Sequence, residues 1–334
     1  MEGMKEIARV YYARASQEER NLVNQSFAQI DVNGDGRVSP LEFKQLMDPG
    51  DSAGPNVFRL FDTNGDGTLD FDEFLAVYYV TMKVNMLLGC SGCQGFLLGP
   101  FFSCLLCLGK GDDTFDLCCA CYAGGRVAHH HSKDNLVDHY SLIKMSRSRA
   151  TADACKGPAD PPADAQKSRG IKVYTKEMEE LREIAIAQHR AGSEEVQALA
   201  HQFFQSIDTN ADRKVDLKEF LAFTSREGYS RLANPKIFEY LDRNGNGTLD
   251  FWEVLTLYHI INNGRPFCDS CANFIPGAFF SCVECYKNGN DTFDLCRDCY
   301  KSMKWNHSHG AGTPQFLDNC TLLLAAKVWP SGSR

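Results

Sequence analysis

The residues best equipped for chemistry in this chain of 334 are its 15 cysteines and a recurrent set of Asp, Asn and Glu side chains. Most of the cysteines form two ladders. The first reads Cys90-x2-Cys93, Cys104-x2-Cys107, Cys118-x2-Cys121 and His129-x-His131. The second reads Cys268-x2-Cys271, Cys282-x2-Cys285, Cys296-x2-Cys299 and His307-x-His309, with every gap the same. Thiolates and imidazoles in fours are the donor sets that tetrahedral zinc takes. Eight donors per ladder supply two closed sites and leave no position for a reactive water, so the spacing predicts structural zinc, four ions in all. So many cysteines without a secretion signal point to metal ligation over disulfides. Cys119, Cys155 and Cys320 stand outside the ladders and are expected to pack or to remain free thiols. His130 lies between two donors and could exchange with either, whereas His139, His189, His201 and His259 read as structural or surface residues.

The oxygen donors fall in four 12-residue windows that match the EF-hand pattern, with ligands at positions 1, 3, 5, 7, 9 and 12 and glycine at 6. The first window offers Asp31, Asn33, Asp35, the Arg37 carbonyl and Glu42, with Ser39 at position 9 acting through a water. The second offers Asp62, Asn64, Asp66, the Thr68 carbonyl, Asp70 and Glu73. Such spacing suits a hard cation, calcium, at up to four sites. The third window keeps Asp208, Asn210, Asp212, Asp216 and Glu219, with Lys214 at position 7, but places Arg213 where glycine is expected. A side chain at positive φ costs on the order of 1 kcal/mol and a cation near the metal repels it, so this loop is expected to be the weakest. The fourth has Asn244 and Asn246 between Asp242 and the Thr248 carbonyl, Asp250 and Glu253, and fewer carboxylates predict lower affinity. Val38, Leu69, Val215 and Leu249 at position 8 are expected to join the loops in pairs.

The cysteine ladder, with Phe115-Asp116-Leu117-Cys118 and Phe293-Asp294-Leu295-Cys296 before its third pair, closely resembles the ZZ-type zinc finger over about 45–50 residues of each copy. That family folds as a cross-brace on a small β-sheet with a short helix. The resemblance implies that Cys90, Cys93, Cys118 and Cys121 share one ion while Cys104, Cys107, His129 and His131 share another. It likewise implies a set of Cys268, Cys271, Cys296 and Cys299 and a set of Cys282, Cys285, His307 and His309. ZZ members capture free protein N-termini through acidic residues near the first zinc. Carried over, those positions fall on Asp116 and Asp294, and on Asp269 in the second copy, where the first copy has Ser91. A further acidic position is replaced by Thr114 and Thr292, next to Asp113 and Asp291. An EF pair running into a ZZ finger also resembles the module order of dystrophin and dystrobrevin.

The elements that must position these residues occur twice. Lys5-Glu6-Ile7-Ala8 recurs as Arg182-Glu183-Ile184-Ala185, and the segments Ser26–Asp31, Asp62–Phe71 and Asp113–Cys118 recur at 203–208, 242–251 and 291–296. The expected domains are an EF-hand pair over 5–86, a ZZ finger over 87–143, a flexible linker over 144–170, a second EF-hand pair over 171–262 and a second ZZ finger over 263–325. The linker holds Pro158, Pro161 and Pro162 among small and polar residues, a composition that buries little. The fold class is mainly α with small β. Ser16-Gln17-Glu18-Glu19 is a capping box opening a helix with Leu22, Phe27 and Ile30 on its apolar face. Helices are expected over Lys5–Arg14 and Thr175–Arg190, and another from near Phe74. The short gaps from the second and fourth loops to Cys90 and Cys268 suggest that each EF pair acts on the finger that follows it.

A formal charge of −8 argues against a broad hold on nucleic acid, and the basic run Lys144–Arg149 lies in the linker. No apolar run reaches the roughly 18–20 residues that span a bilayer, and the N-terminal residues lack an apolar signal core. An intracellular chain without membrane contact is expected. No nucleophile–base pair, phosphate loop or open metal site is visible, and a ubiquitin ligase of the RING type would need its histidine in the middle of the ladder, so an enzyme is not expected. The sequence therefore predicts a calcium- and zinc-binding adaptor for protein or N-terminal peptide partners; the alternative is a non-switching calcium scaffold or buffer with structural zinc.

Overall fold

The computed structural model describes residues 2–45, 54–84, 88–97, 99–108, 114–125, 128–142, 171–288, 292–303, 305–309 and 314–328. The expected linker 144–170, Asp113, Asp291 and Cys155 lie outside these residues. The described part is mainly helical with small antiparallel sheets.

Helix α1 (Glu2–Arg14) precedes α2 (Gln17–Ile30), α3 (Pro40–Lys44), α4 (Gly54–Phe61) and α5 (Phe71–Tyr79), which runs on as a π turn, Val80–Val84. Ser16 caps α2 as its sequence dictates: its hydroxyl accepts the Glu19 N–H at 3.2 Å and Glu19 accepts the Ser16 N–H at 2.8 Å. The apolar face differs from expectation, since Val23 and Ile30 are buried while Leu22 is 57% exposed. Helix α5 starts at Phe71 because Asp70 caps it, three residues before the expected start near Phe74. Ile7, Ile30, Val38, Phe43, Phe58, Phe61, Leu69 and Phe74 form the core of this part.

Residues 88–142 fold around β1 (Phe101–Cys104), flanked antiparallel by β2 (Asp116–Cys118) and β3 (Leu136–Asp138), so that Phe102 lies opposite Leu117 and Asp138. The short helices α6 (Leu105–Leu108) and α7 (Cys119–Gly124) complete the module.

The same order of elements follows. Helix α8 (Ile171–Ala191) is longer than the expected 175–190, and α1 likewise begins at Glu2 before the expected Lys5. After α8 come α9 (Glu194–Ile207), β4 (Val215–Asp216), α10 (Leu217–Arg226), α11 (Pro235–Leu241), β5 (Thr248–Leu249) and α12 (Phe251–Asn263). Leu181, Ile207, Val215, Phe220, Leu241 and Leu249 form their core. A second cysteine module is built on β6 (Phe280–Cys282) between β7 (Asp294–Leu295) and β8 (Phe316–Asp318), with α13 (Val283–Lys287), α14 (Arg297–Ser302) and α15 (Asn319–Val328).

The two halves are interleaved. From α1, the Tyr11 hydroxyl donates to Asp318 Oδ2 at 2.8 Å and accepts the Asp318 N–H at 3.2 Å, 307 residues along the chain. The Arg14 guanidinium lies 4.0 Å over the Tyr300 ring, and the Tyr79 and Thr321 hydroxyls are 3.1 Å apart. Reciprocally, α7 of the first module packs on α8, Tyr140 donates to Glu180 at 3.1 Å, and Arg265 sits 3.9 Å over the Tyr140 ring. Contact with the following module is also made, by Phe96 in the first half and Phe274 in the second. Chain continuity alone thus gives an incomplete account of which module each helical half touches.

Candidate metal centres

The four oxygen-rich loops share one local design. The position-8 residues pair, Val38 with Leu69 and Val215 with Leu249, which holds the loops side by side. In each loop the ninth residue caps the exit helix while the twelfth, glutamate, closes a capping box with it: Ser39 with Glu42, Asp70 with Glu73, Asp216 with Glu219 and Asp250 with Glu253. The ligand spacing of positions 9 and 12 is therefore also a helix start signal. These glutamates are buried yet face into the loop: Glu42 Oε1 accepts the Val32 N–H at 3.0 Å and Glu73 Oε1 the Thr63 N–H at 2.9 Å. Glu219 accepts from Thr209 and Glu253 from Arg243, both at 2.9 Å. The Ser39 amide and hydroxyl hold Glu42 below the usual carboxylate range. Burial opposes ionisation of Glu73, but the Thr63 hydroxyl, neighbouring amides and the Lys5 charge prevail and hold it low.

The first-position aspartate accepts the N–H of the sixth residue in every loop: Gly36 to Asp31 at 2.9 Å, Gly67 to Asp62 at 3.0 Å, Arg213 to Asp208 at 2.9 Å and Gly247 to Asp242 at 2.8 Å. The sixth residue has positive φ in every loop, and Arg213 adopts +65° as the sequence predicts. Ala211 at +58° is a second strained position, where the other loops have glycine. Asn33, Asn64, Asn210 and Asn244 turn their side-chain oxygens onto the fifth-position N–H at 2.8–3.0 Å, which gathers Asp35, Asp66, Asp212 and Asn246 into the same loops. In the third loop, Asp208 Oδ1 is buried without a hydrogen-bond partner, an acceptor suited to a cation. Arg37, Thr68, Lys214 and Thr248 hold the seventh position, each donating its N–H to the fifth residue. Hydrogen bonds from the Thr68 hydroxyl and then from Arg37 bring Asp66 down to about 2.

The sixteen ladder residues gather into four sets: Cys90, Cys93, Cys118 and Cys121; Cys104, Cys107, His129 and His131; Cys268, Cys271, Cys296 and Cys299; Cys282, Cys285, His307 and His309. Within each set the donor atoms lie within 4.8 Å of one another. Tetrahedral bonds of about 2.0–2.3 Å place donors roughly 3.3–3.8 Å apart, and the sets fit. Cys271 and Cys296 sulfurs are 3.8 Å apart, Cys107 Sγ is 3.3 Å from His129 Nε2, and Cys282 Sγ is 3.2 Å from His309 Nε2. Among the described residues no cysteine is in a disulfide, and a sulfur separation of 3.8 Å is far from a disulfide bond of about 2.05 Å. His131 turns Nδ1 to its set where His309 turns Nε2, and His130 is outside the set. Phe115 and Phe293 stack on His129 and His307 at 3.8 and 4.2 Å, fixing the imidazole planes.

The acidic candidates separate. Asp116 and Asp294 are 2% and 9% exposed, and their carboxylates accept the hydroxyls of Ser103 and Thr114, and of Ser281 and Thr292. Asp269 is exposed, with one oxygen on the Asp294 N–H at 2.6 Å. Ser91 takes that place in the first module, accepting the Asp116 N–H at 3.3 Å.

A family model described as an EF-hand domain pair matches residues 20–79. Polcalcin Cyn d 7 of Cynodon dactylon is 41% identical over 54 residues, 15% of this chain and 68% of that protein. The chain belongs to the EF-hand family. The calcium-binding protein CML38 of Arabidopsis thaliana is 47% identical over 53 residues, 14% of this chain and 30% of that one. The chloroplastic GTP diphosphokinase CRSH1 of Oryza sativa subsp. japonica is 38% identical over 65 residues, 19% of this chain and 11% of the enzyme. The chain thus spans about a tenth of that enzyme and under a third of CML38. No solved structure matches the chain. Among the described residues, no helix is long and apolar enough to cross a membrane.

Proposed function

We propose that the chain is an intracellular calcium- and zinc-binding interaction protein, built as two EF–EF–ZZ units, whose EF-hands respond to calcium and whose zinc-pinned modules hold a protein or N-terminal peptide. The observation that carries this reading is the union of EF-hand loops with four closed Cys/His donor sets in one interleaved fold. The sixteen Cys and His residues would hold zinc, which when bound supplies folding free energy to modules too small to stand on their own cores. Closed donor sets favour a binding role over a catalytic one, and the net charge of −8 favours partners other than nucleic acid. Asp269 is the accessible carboxylate for an α-amino group, held by its contact with Asp294.

The test is binding of free-N-terminus peptides to the zinc-loaded chain with and without calcium. Binding that weakens about tenfold or more in Asp269→Asn, as expected when a charge-assisted hydrogen bond of about 1.5–3 kcal/mol is removed, and that changes with calcium, supports the reading. Blocking the peptide's amine by acetylation should do the same. Absence of binding in both states would leave a metal-binding scaffold or buffer.

A further inference from the structure

Four loops of one pattern allow the surroundings of a single ligand position to be compared four times. At position 5, one oxygen is taken up by the loop itself: the N–H of residue 7 bonds to Oδ1 of Asp35, Asp66, Asp212 and Asn246 at 2.8–2.9 Å. The opposite oxygen of the three aspartates turns toward the position-3 side chain, with Asn33, Asn64 and Asn210 Nδ2 at 2.9, 3.2 and 3.1 Å. With Oδ1 engaged by the loop amide, Oδ2 is the oxygen left for a cation.

In the second loop that oxygen, Asp66 Oδ2, is ion-paired with Arg37 Nη1, which also donates to Thr68 Oγ1 at 2.9 Å. Arg37 belongs to the first loop, where its part in coordination is a backbone carbonyl, so its side chain is free to cross. The Val38–Leu69 bridge next to it sets the distance of the crossing. The guanidinium cannot be deprotonated, so its charge is permanent. The second half has Lys214 and the neutral Asn246 at these two positions, which cannot form the same ion pair.

We infer that Arg37 is a tethered competitor for calcium: it occupies the cation-facing oxygen of Asp66, so that a residue of the first loop sets the affinity of the second. This rests on calcium binding by the EF-hand pair of residues 20–79. Both side chains are partly solvated, and exposed pairs of this kind are weak, so releasing Asp66 should tighten the second loop roughly two- to fivefold.

Calcium titration of the full zinc-loaded chain, followed by NMR at the Gly36 and Gly67 amides, reads the two loops separately. Arg37→Gln should lower the midpoint at Gly67 by roughly two- to fivefold. In an Asp66→Asn background, which copies Asn246 of the fourth loop, the same substitution should leave that midpoint unchanged. An unaltered or raised midpoint in Arg37→Gln would overturn the assignment, and so would an equal shift in both backgrounds, which would make Arg37 a general surface charge. No response at either glycine in the unaltered chain would overturn calcium binding itself.

Discussion

At the residue scale, equivalent positions of the two halves carry different chemistry where the halves meet. The first junction ends in hydroxyls, Tyr11 on Asp318 and Tyr79 beside Thr321. The second has Gln188, His259 and Asp138 in the places of Tyr11, Tyr79 and Asp318. His259 Nδ1 is 2.9 Å from Gln188 Oε1 and 2.8 Å from Asn263 Nδ2, while His259 Nε2 and Asp138 Oδ2 are buried without hydrogen-bond partners. Burial holds His259 below the ordinary imidazole range; Asp138 opposes this and Arg265 reinforces it. Asp138 is itself held low: burial raises it, but charge from His259 and hydrogen bonds from Ser141 outweigh that. A histidine kept neutral in the fold binds its proton first in the unfolded chain, so its contribution is lost as pH falls below about 6.5. The depressed aspartate loses its contribution at lower pH still, in the same direction. We therefore expect the urea-unfolding free energy to fall between pH 7.5 and 5.5 by less in His259→Gln than in the parent. An NMR titration of the ring should show no protonation at its ordinary pKa; a midpoint near 6.5 would contradict the burial argument. His259 reads in the sequence as a residue without a partner, because Asp138 and Arg265 reach it only through tertiary packing.

At the element scale, the four oxygen-rich loops were legible because their donor side chains are set by spacing within 12 residues, and the same holds for the closely spaced CxxC pairs. The third loop shows what such reading misses. Arg213 stands out by its departure from glycine at position 6, but Ala211 is equally displaced into the left-handed region, at +58° where Gly34, Gly65 and Gly245 take +67° to +72°. Replacing a non-glycine residue at positive φ relieves about 1–2 kcal/mol, of which about 0.4–1 kcal/mol is returned as extra freedom of the unfolded chain. Arg213→Gly should therefore stabilise the chain by up to about 1 kcal/mol in urea unfolding. It should also tighten calcium at 208–219 by removing a cationic side chain from the loop. Ala211→Gly should give the stability gain alone, so the two variants separate backbone strain from charge. Equal calcium midpoints for both would assign the change to strain and leave the Arg213 charge without effect.

At the scale of the whole molecule, helix α1 joins a calcium loop at one end to a distant cysteine module at the other. Lys5 is buried, donates to the Thr63 hydroxyl at 2.8 Å and lies 3.7 Å from Glu73, the position-12 residue of the second loop. Two turns on, Tyr11 and Arg14 of the same helix hold Asp318 and Tyr300. None of this could be read from the sequence, since no spacing rule links residues 307 apart, and Tyr11 there is one aromatic residue among many. The arrangement makes a falsifiable claim about cooperativity. Asp318 is fully buried, and its Oδ2 loses a donor and its N–H an acceptor in Tyr11→Phe. A buried polar group left unpaired costs about 1–3 kcal/mol. Hydrogen exchange should consequently accelerate in α1 and in the segment from Phe316 to Leu323 together, while Phe101–Cys104 and Leu136–Asp138 of the first module keep their protection. If α1 alone loosened, the junction would be a passive contact and the two halves would open independently; joint loosening would show that α1 and the segment around Asp318 open as one unit, with the Lys5 contact to the second loop carried on the same helix.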